Sequence, residues 1–281
     1  VRGASFPETG EWNGLSEVWQ SSMSQPEFED YVNNIREQIK LGNVYQVNAC
    51  RILSTKISRE ISLAPLFSKI LDKNPAPFAS FLRLPDIEIA SASPELFLLR
   101  EGSYIKTSPI KGTRKLSETG ASFSDKDRSE NVMIVDLMRN DFGRICKSGT
   151  VEVPRLLSSE EHPGLQHLVS DIQGELVDDI SWSQIITALS PPGSVSGAPK
   201  SSALQVISGN EIDRGPYCGA LGWVEGDQAV LSVAIRTFWK DSGINFGTGA
   251  GITWGSDATA EWEETQLKAR RLISIAGGEL L

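Results

Sequence analysis

Residues 221–247 read LGWVEGDQAVLSVAIRTFWKDSGINFG, and the fold turns on how this stretch is read. Three runs rich in apolar, β-branched and aromatic residues, at 221–225, 229–237 and 244–247, have the composition of strands. Gly226-Asp227 and Asp241-Ser242-Gly243 separate them. Those residue types favour tight reversals, Gly because it takes positive φ freely and Asp because its carboxylate bonds nearby backbone amides. Links this short join antiparallel neighbours, whereas a parallel pair needs a crossover of a dozen or more residues.

Working outward, 44–52 has strand character, and 78–84, 87–91 and 96–99 are short strands divided by Pro and Asp. Helices flank these runs. Ser24 and Glu27 make a capping box, Pro26 stands in the first turn, and Phe28, Tyr31, Val32, Ile35 and Ile39 recur at helical spacing until Gly42. Shorter helices are expected at 64–72, 181–189 and 203–207. A long one is expected at 124–146, with Val132, Val135 and Met138 as its apolar residues, and a charged one at 257–276. Residues 1–22, rich in Gly, Ser, Pro and Trp, read as an irregular connecting segment, leaving 23–281 as one domain. Strands in antiparallel runs, without strict βαβ alternation, make the fold class α+β.

The 281 residues are 40% hydrophobic and 22% charged, with a net charge of −9, enough apolar material for a large core. Phosphate backbones need a basic face, and no long Lys/Arg run is present, so nucleic acid is not an expected partner. No apolar run reaches the ~18–20 residues of a membrane span, and no secretory leader opens the sequence. Cys50, Cys146 and Cys218 are far apart and lack metal-ligand spacing, so they are expected as reduced, buried thiols of a cytoplasmic protein.

Two glycine-rich stretches invite a nucleotide reading and fail it. In Gly193-Ser194-Val195-Ser196-Gly197-Ala198-Pro199-Lys200, Ala198 and Pro199 break the Gly-Lys-Ser adjacency of a phosphate loop. Gly247-Thr248-Gly249-Ala250-Gly251-Ile252 has Ile where a dinucleotide fingerprint needs its third glycine. Carboxylates say more. Asp127 and Glu130, and again Glu261 and Glu264, lie three apart on the two strong helices, so each pair shares a helix face. Four acids on facing helices suit a hard cation such as Mg²⁺, although acids at this spacing are ordinarily solvated surface. Lys111 lies among apolar and small residues in Ser108-Pro109-Ile110-Lys111-Gly112-Thr113. Only a neutral amine is a nucleophile, and holding lysine neutral near pH 7.5 costs about 4 kcal/mol unless burial or a nearby cation lowers its pKa. Glu95, in Ser93-Pro94-Glu95, is a candidate proton donor.

Taken in order, these segments resemble the chorismate-utilising enzyme family. The resemblance rests on Val44-Tyr45-Gln46-Val47-Asn48, Ser93-Pro94-Glu95, Pro109 to Thr113, Asp127-Arg128-Ser129-Glu130-Asn131 running into Asp136 to Asp141, the loop from Gly193 to Lys200, and Ala260-Glu261-Trp262-Glu263-Glu264-Thr265. Arg214 to Gly219 and Ile235-Arg236-Thr237 add to it, and the match covers about 23–276. It implies a large sandwich of two mostly antiparallel sheets with helices outside, and a site between the sheets holding chorismate with Mg²⁺. By resemblance, Glu130 and Glu264 are the first metal ligands, with Asp127 and Glu261 in support. Arg236, Tyr217, Thr113 and the amides at Ala250 and Gly251 would bind substrate, His167 would lie beside the ring, and Lys200 would add positive charge. The family's water-adding members carry lysine where Gln46 stands, and glutamine is no general base. Members that aminate C2 and release pyruvate usually have alanine at the place of Lys111. Lysine there resembles the aminodeoxychorismate synthase branch, which aminates C4. That implies Lys111 as covalent nucleophile, Glu95 as acid, and ammonia from a partner glutamine amidotransferase.

Overall fold

The strand-and-turn runs fold into two sheets that pack face to face, with helices outside. The computed structural model describes residues 10–115, 123–162 and 165–280. In chain order these give β1 (Leu15–Ser21), α1 (Gln25–Lys40), β2 (Gln46–Thr55), α2 (Ala64–Lys73), β3 (Phe78–Leu84) and β4 (Ile87–Ser93). There follow β5 (Leu96–Glu101), β6 (Tyr104–Ser108), β7 (Ile110–Lys115), α3 (Asp125–Gly143), β8 (Glu152–His162) and β9 (Leu165–Glu175). The next segments are α4 (Trp182–Leu189), one turn α5 (Gly193–Ser196), β10 (Gly197–Ala198) and α6 (Lys200–Ser208). The chain closes with β11 (Ala220–Glu225), β12 (Gln228–Val233), β13 (Thr237–Lys240), β14 (Ile244–Ile252), α7 (Ala258–Ala276) and β15 (Gly277–Leu280).

One sheet has the order β15-β1-β2-β14-β13-β4-β3, with β10 paired to β2. The other runs β11-β12-β5-β6-β9-β7, with β8 paired to β9. The β1–β15 pair is parallel and the other ladders are antiparallel, the α+β sandwich that the sequence implies. Strand β2 shows how the layers divide. Cys50 and Ile52 join a core shared with Phe97, Leu98 and Ile105 of the second sheet. The alternate residues Val47, Ala49 and Leu53 pack instead against the clusters of α1, α2 and α7. A strand period of two thus separates the inter-sheet face from the helix face.

Three local expectations change. Residues 15–21 are not irregular: they form β1, fixed by Trp19, which is 1% exposed and whose Nε1 donates to Gly277 O at 2.9 Å. One buried aromatic in a strand whose other residues are exposed or half-buried leaves little periodicity to read. On α3, Val132 faces solvent at 46% exposure, and the buried stripe is Ile134, Val135, Met138 and Phe142. The run 229–237 is two strands, because the chain leaves one sheet after Val233 and enters the other at Thr237. Between them Arg236 adopts φ +55°, a left-handed conformation costing an L-residue about 1–2 kcal/mol.

A second crossover, Ser93-Pro94-Glu95, carries the chain from β4 to β5 beside the first. The two are stitched together. Ser93 Oγ donates to Val233 O at 2.6 Å, Val233 N donates to Glu95 O at 3.0 Å, and Ala92 N donates to Arg236 O at 3.0 Å. Ser93→Ala removes the hydroxyl donor in a fully buried setting, and it should lower the unfolding free energy by about 1–3 kcal/mol in urea titration. A change within a few tenths of a kcal/mol would mean that the stitch is not structural.

Candidate active site

The crossovers deliver Glu95 and Arg236 to the space between the sheets, and Lys111 reaches it from β7. Lys111 Nζ donates to Ser194 O at 2.9 Å, while Ser194 Oγ donates to Glu95 Oε1 at 2.6 Å. One loop residue therefore links amine and carboxyl. Burial pushes the Glu95 carboxyl up to about 7, against the Ser194 bond and the Lys111 charge, which favour its ionised form. Burial likewise pulls the Lys111 ammonium down; Glu130 opposes this and Lys268 reinforces it. Both shifts favour uncharged forms, an amine able to attack and a carboxyl able to give a proton.

The acids on α3 and α7 do face one another, but two lysines lie among them. Lys126 Nζ is 3.0 Å from Glu261 Oε1 and 3.9 Å from Glu130 Oε1, and Lys268 Nζ is 2.6 Å from Glu264 Oε1. Lys268 also donates to Gly249 O at 3.0 Å. Burial raises the Glu130 carboxyl, which Lys111 and Lys126 offset and Glu261 and Glu264 reinforce. Glu264 is lowered, chiefly by Lys268. Asp127 has a different use: its carboxylate accepts from Ser124 N at 3.1 Å and Ser124 Oγ at 2.6 Å, forming the capping box of α3. In this arrangement, among the described residues, no three acidic, His or Cys side chains converge closely enough to grip an ion. The donor chemistry still fits a hard cation, because Glu130 Oε1 is buried and accepts no hydrogen bond.

The floor of the site is β14. Gly247, Gly249 and Gly251 alternate along it on the face that Cys50 shares across the β2 ladder. A Cβ at Gly247 would overlap the Tyr217 ring, and one at Gly251 would collide with Gln46 Nε2 and lie 3.5 Å from Lys111 Nζ. The stretch that failed as a dinucleotide loop is thus a strand whose glycines let the Tyr217 ring and the Gln46 amide lie directly on the sheet. Past Phe246, β14 pairs with β2 and no longer with β13. Gly249 O accepts from Lys268 on that open edge, so by strand alternation the Gly251 amide shares the edge while the Ala250 amide faces β2. Ala250 packs its methyl on the α1 side.

Tyr217 is buried, and burial first, then the nearby Cys50 thiol, raises its hydroxyl far above the usual range. Arg236 Nη1 donates to Lys268 O at 3.2 Å; burial lowers this guanidinium, against Tyr217 and Glu264. His167 is buried in β9 opposite Thr113 of β7; the Thr113 side chain lies outside the described residues. Lys200 stands apart in its contacts. Its ammonium donates to Asp141 Oδ2 at 2.7 Å and to the carbonyls of Leu189 and Ala188, clamping α6 to α3 and to the end of α4.

The sequence model of the family described as chorismate binding enzyme matches residues 4–274. The chain belongs to that family. It is 37% identical over 272 residues to aminodeoxychorismate synthase component 1 of Escherichia coli (strain K12), covering 92% of this chain and 59% of that protein. It is 34% identical over 287 residues to anthranilate synthase component 1 of Aquifex aeolicus (strain VF5), covering 97% and 57%. Its structure is similar to that of anthranilate synthase component I from Streptococcus pneumoniae TIGR4, with a TM-score of 0.84 at 29% identity, covering 95% of this chain and 61% of that one. The chain therefore spans well under two thirds of these relatives' length.

Three residues to which the sequence reading gives no role stand within this candidate site: Ser194 joins Lys111 to Glu95, Lys268 neutralises Glu264, and Lys126 bridges two acids. Gln46, noted in the sequence as the place where water-adding members carry lysine, is 1% exposed, and neither its nitrogen nor its oxygen has a hydrogen-bond partner. The i,i+4 spacings of Lys126 with Glu130 and of Glu264 with Lys268 were the available local signals.

Glu95 sets a pH dependence. Its folded pKa, about 7, lies above the ordinary 4.5, so the native state keeps a proton that the unfolded chain releases. That contribution is fully present below pH 4.5 and is lost as pH rises through about 7. Against Glu95→Gln, the wild type should lose on the order of 3 kcal/mol across this window. Parallel stability curves for the two proteins would contradict the shift.

Proposed function

We propose that this chain aminates chorismate at C4 to give 4-amino-4-deoxychorismate, for 4-aminobenzoate and folate synthesis, with ammonia supplied by a glutamine amidotransferase subunit. The observation that carries this reading is the buried Lys111 amine, its charged form disfavoured, tied through Ser194 to a carboxyl that titrates near 7. Relatives named component 1 support a partner subunit.

The chemistry follows from these groups. Neutral Lys111 uses one N–H on Ser194 O and keeps its lone pair. Attack of Nζ at C2 forms a C–N bond, both ring double bonds shift (C1=C2 to C1=C6 and C5=C6 to C4=C5), the C4–O bond breaks, and the Glu95 proton leaves with the hydroxyl as water. Ammonia then forms a bond at C4, both double bonds shift back, and the Lys111 amine departs from C2. A proton from the new ammonium restores Glu95, so one ammonia enters and one water leaves. In this reading Arg236 and the Gly251 amide on the open edge of β14 would bind a substrate carboxylate, with the Tyr217 ring bordering the floor. Glu130, Glu261 and Glu264 would hold Mg²⁺, with Asp127 supporting α3 from its cap. Bound Mg²⁺ supplies the positive charge that holds a carboxylate in a protein of net charge −9.

Incubation with chorismate, Mg²⁺ and ammonium, followed by product separation, tests the reading. The expected product becomes 4-aminobenzoate only after its lyase is added. Pyruvate and fluorescent anthranilate without any lyase would instead establish amination at C2. Lys111→Ala should lower C4 amination at least about a hundredfold while chorismate still binds. A substrate adduct seen by intact mass in the wild type should be missing from that variant, and unchanged amination would remove Lys111 from the covalent role.

A further inference from the structure

Lys126 lies in the first turn of α3 with its side chain 48% exposed, yet its ammonium reaches a carboxylate on α7 that is 4% exposed. It makes contact with Glu261 at 3.0 Å and stops at 3.9 Å from Glu130, beyond hydrogen-bonding distance. Glu130 Oε1 is left buried and unpartnered as a result. One univalent cation is thus shared unequally between two acids on different helices. Among the described residues, three carboxylates (Glu130, Glu261 and Glu264) have only two ammonium groups, Lys126 and Lys268, in ion-pair contact with them.

We infer that Lys126 is a tethered counter-ion that occupies the carboxylate site in the metal-free protein and must withdraw when a divalent cation enters. This rests on the metal reading of Glu130, Glu261 and Glu264, and it adds a residue of the same site that opposes the metal. Sharing one carboxylate oxygen is opposed by charge. A magnesium ion sits about 2.0–2.1 Å from its carboxylate oxygens. The Lys126 nitrogen, 3.0 Å from the same Glu261 oxygen, would then press a like charge against it with little solvent between them. Withdrawal is sterically simple, because the side chain enters from solvent on a flexible four-carbon stem and can extend back into water. Lys126 therefore holds α3 and α7 together across their acidic faces until metal arrives, and it weakens metal binding by the strength of its ion pair.

The test is Mg²⁺ titration by calorimetry, with Mn²⁺ followed by electron paramagnetic resonance as a second probe. It compares wild type, Lys126→Met, Lys126→Arg and Glu130→Gln without chorismate. Lys126→Met should bind metal about three- to tenfold more tightly than wild type, the range of an ion pair buried at one end. Lys126→Arg, which keeps the cation, should stay near wild type. Metal-free Lys126→Met should melt below wild type, and saturating Mg²⁺ should raise its melting temperature by the larger amount. Equal or weaker metal affinity in Lys126→Met, or the same gain in Lys126→Arg, would overturn the inference. If Glu130→Gln abolishes binding in either case, the metal reading stands while the role of Lys126 falls. Absence of binding to every variant and to wild type would overturn both.

Discussion

The architecture depends on two segments that change sheets side by side. Ser93-Pro94-Glu95 and the residues between Val233 and Thr237 each carry the chain across the gap, and three hydrogen bonds lock them in register. A sandwich normally turns its strands at the ends, where loops are exposed and variable. Here two strands instead hand over in the interior. The backbone groups released by broken ladders satisfy each other, as buried N–H and C=O groups must. Glu95 and Arg236 arise at these points, so the same bonds that space the sheets also aim an acid and a cation into the cleft.

The electrostatics solve a specific problem. A protein of net charge −9 that is to hold a dicarboxylate, as proposed above, must reverse its field locally. Its buried side chains alternate in sign over short distances. Lys111 and Lys268 lie near Glu95 and Glu264, and Arg236 lies near Tyr217 and Glu264. Burial penalises every charge in the group, so the members least compensated, Lys111 and Glu95, are driven toward neutral forms.

How much of this was legible in the sequence depended on whether the signal was periodic. The helix with its capping box at Ser24, and strands bounded by Gly and Asp, stood out because caps and turns are local chemistry. Strand β9 was missed because it buries His167, Ser170 and Asp171 among its apolar residues. Asp171 is satisfied by Arg155, Lys106 and Ser108 on two other strands, which no window along β9 can reveal. The break between β12 and β13 was invisible for a similar reason, since Val-Ala-Ile-Arg-Thr reads as one strand and only the stitching to Ser93 bends it. At the site, resemblance identified Lys111, Glu95 and the acids of α3 and α7. It did not reveal that Lys200 serves as a clamp, because its partner Asp141 lies 59 residues away, whereas the Asp127 cap is a local Ser124-x-x-Asp signature that the metal reading of this acid passed over.

The glycine stripe of β14 has a consequence apart from charge. Three absent side chains leave no hole: the Tyr217 ring, the Cys50 thiol and the Gln46 amide lie where Cβ atoms at Gly247, Gly249 and Gly251 would stand. The stripe is a seat that lets these groups rest directly on the strand. An alanine at any of the three positions would have to displace its occupant, so the placing of Tyr217 and Gln46 is written into the backbone, and no titration or change of ionic strength can alter it.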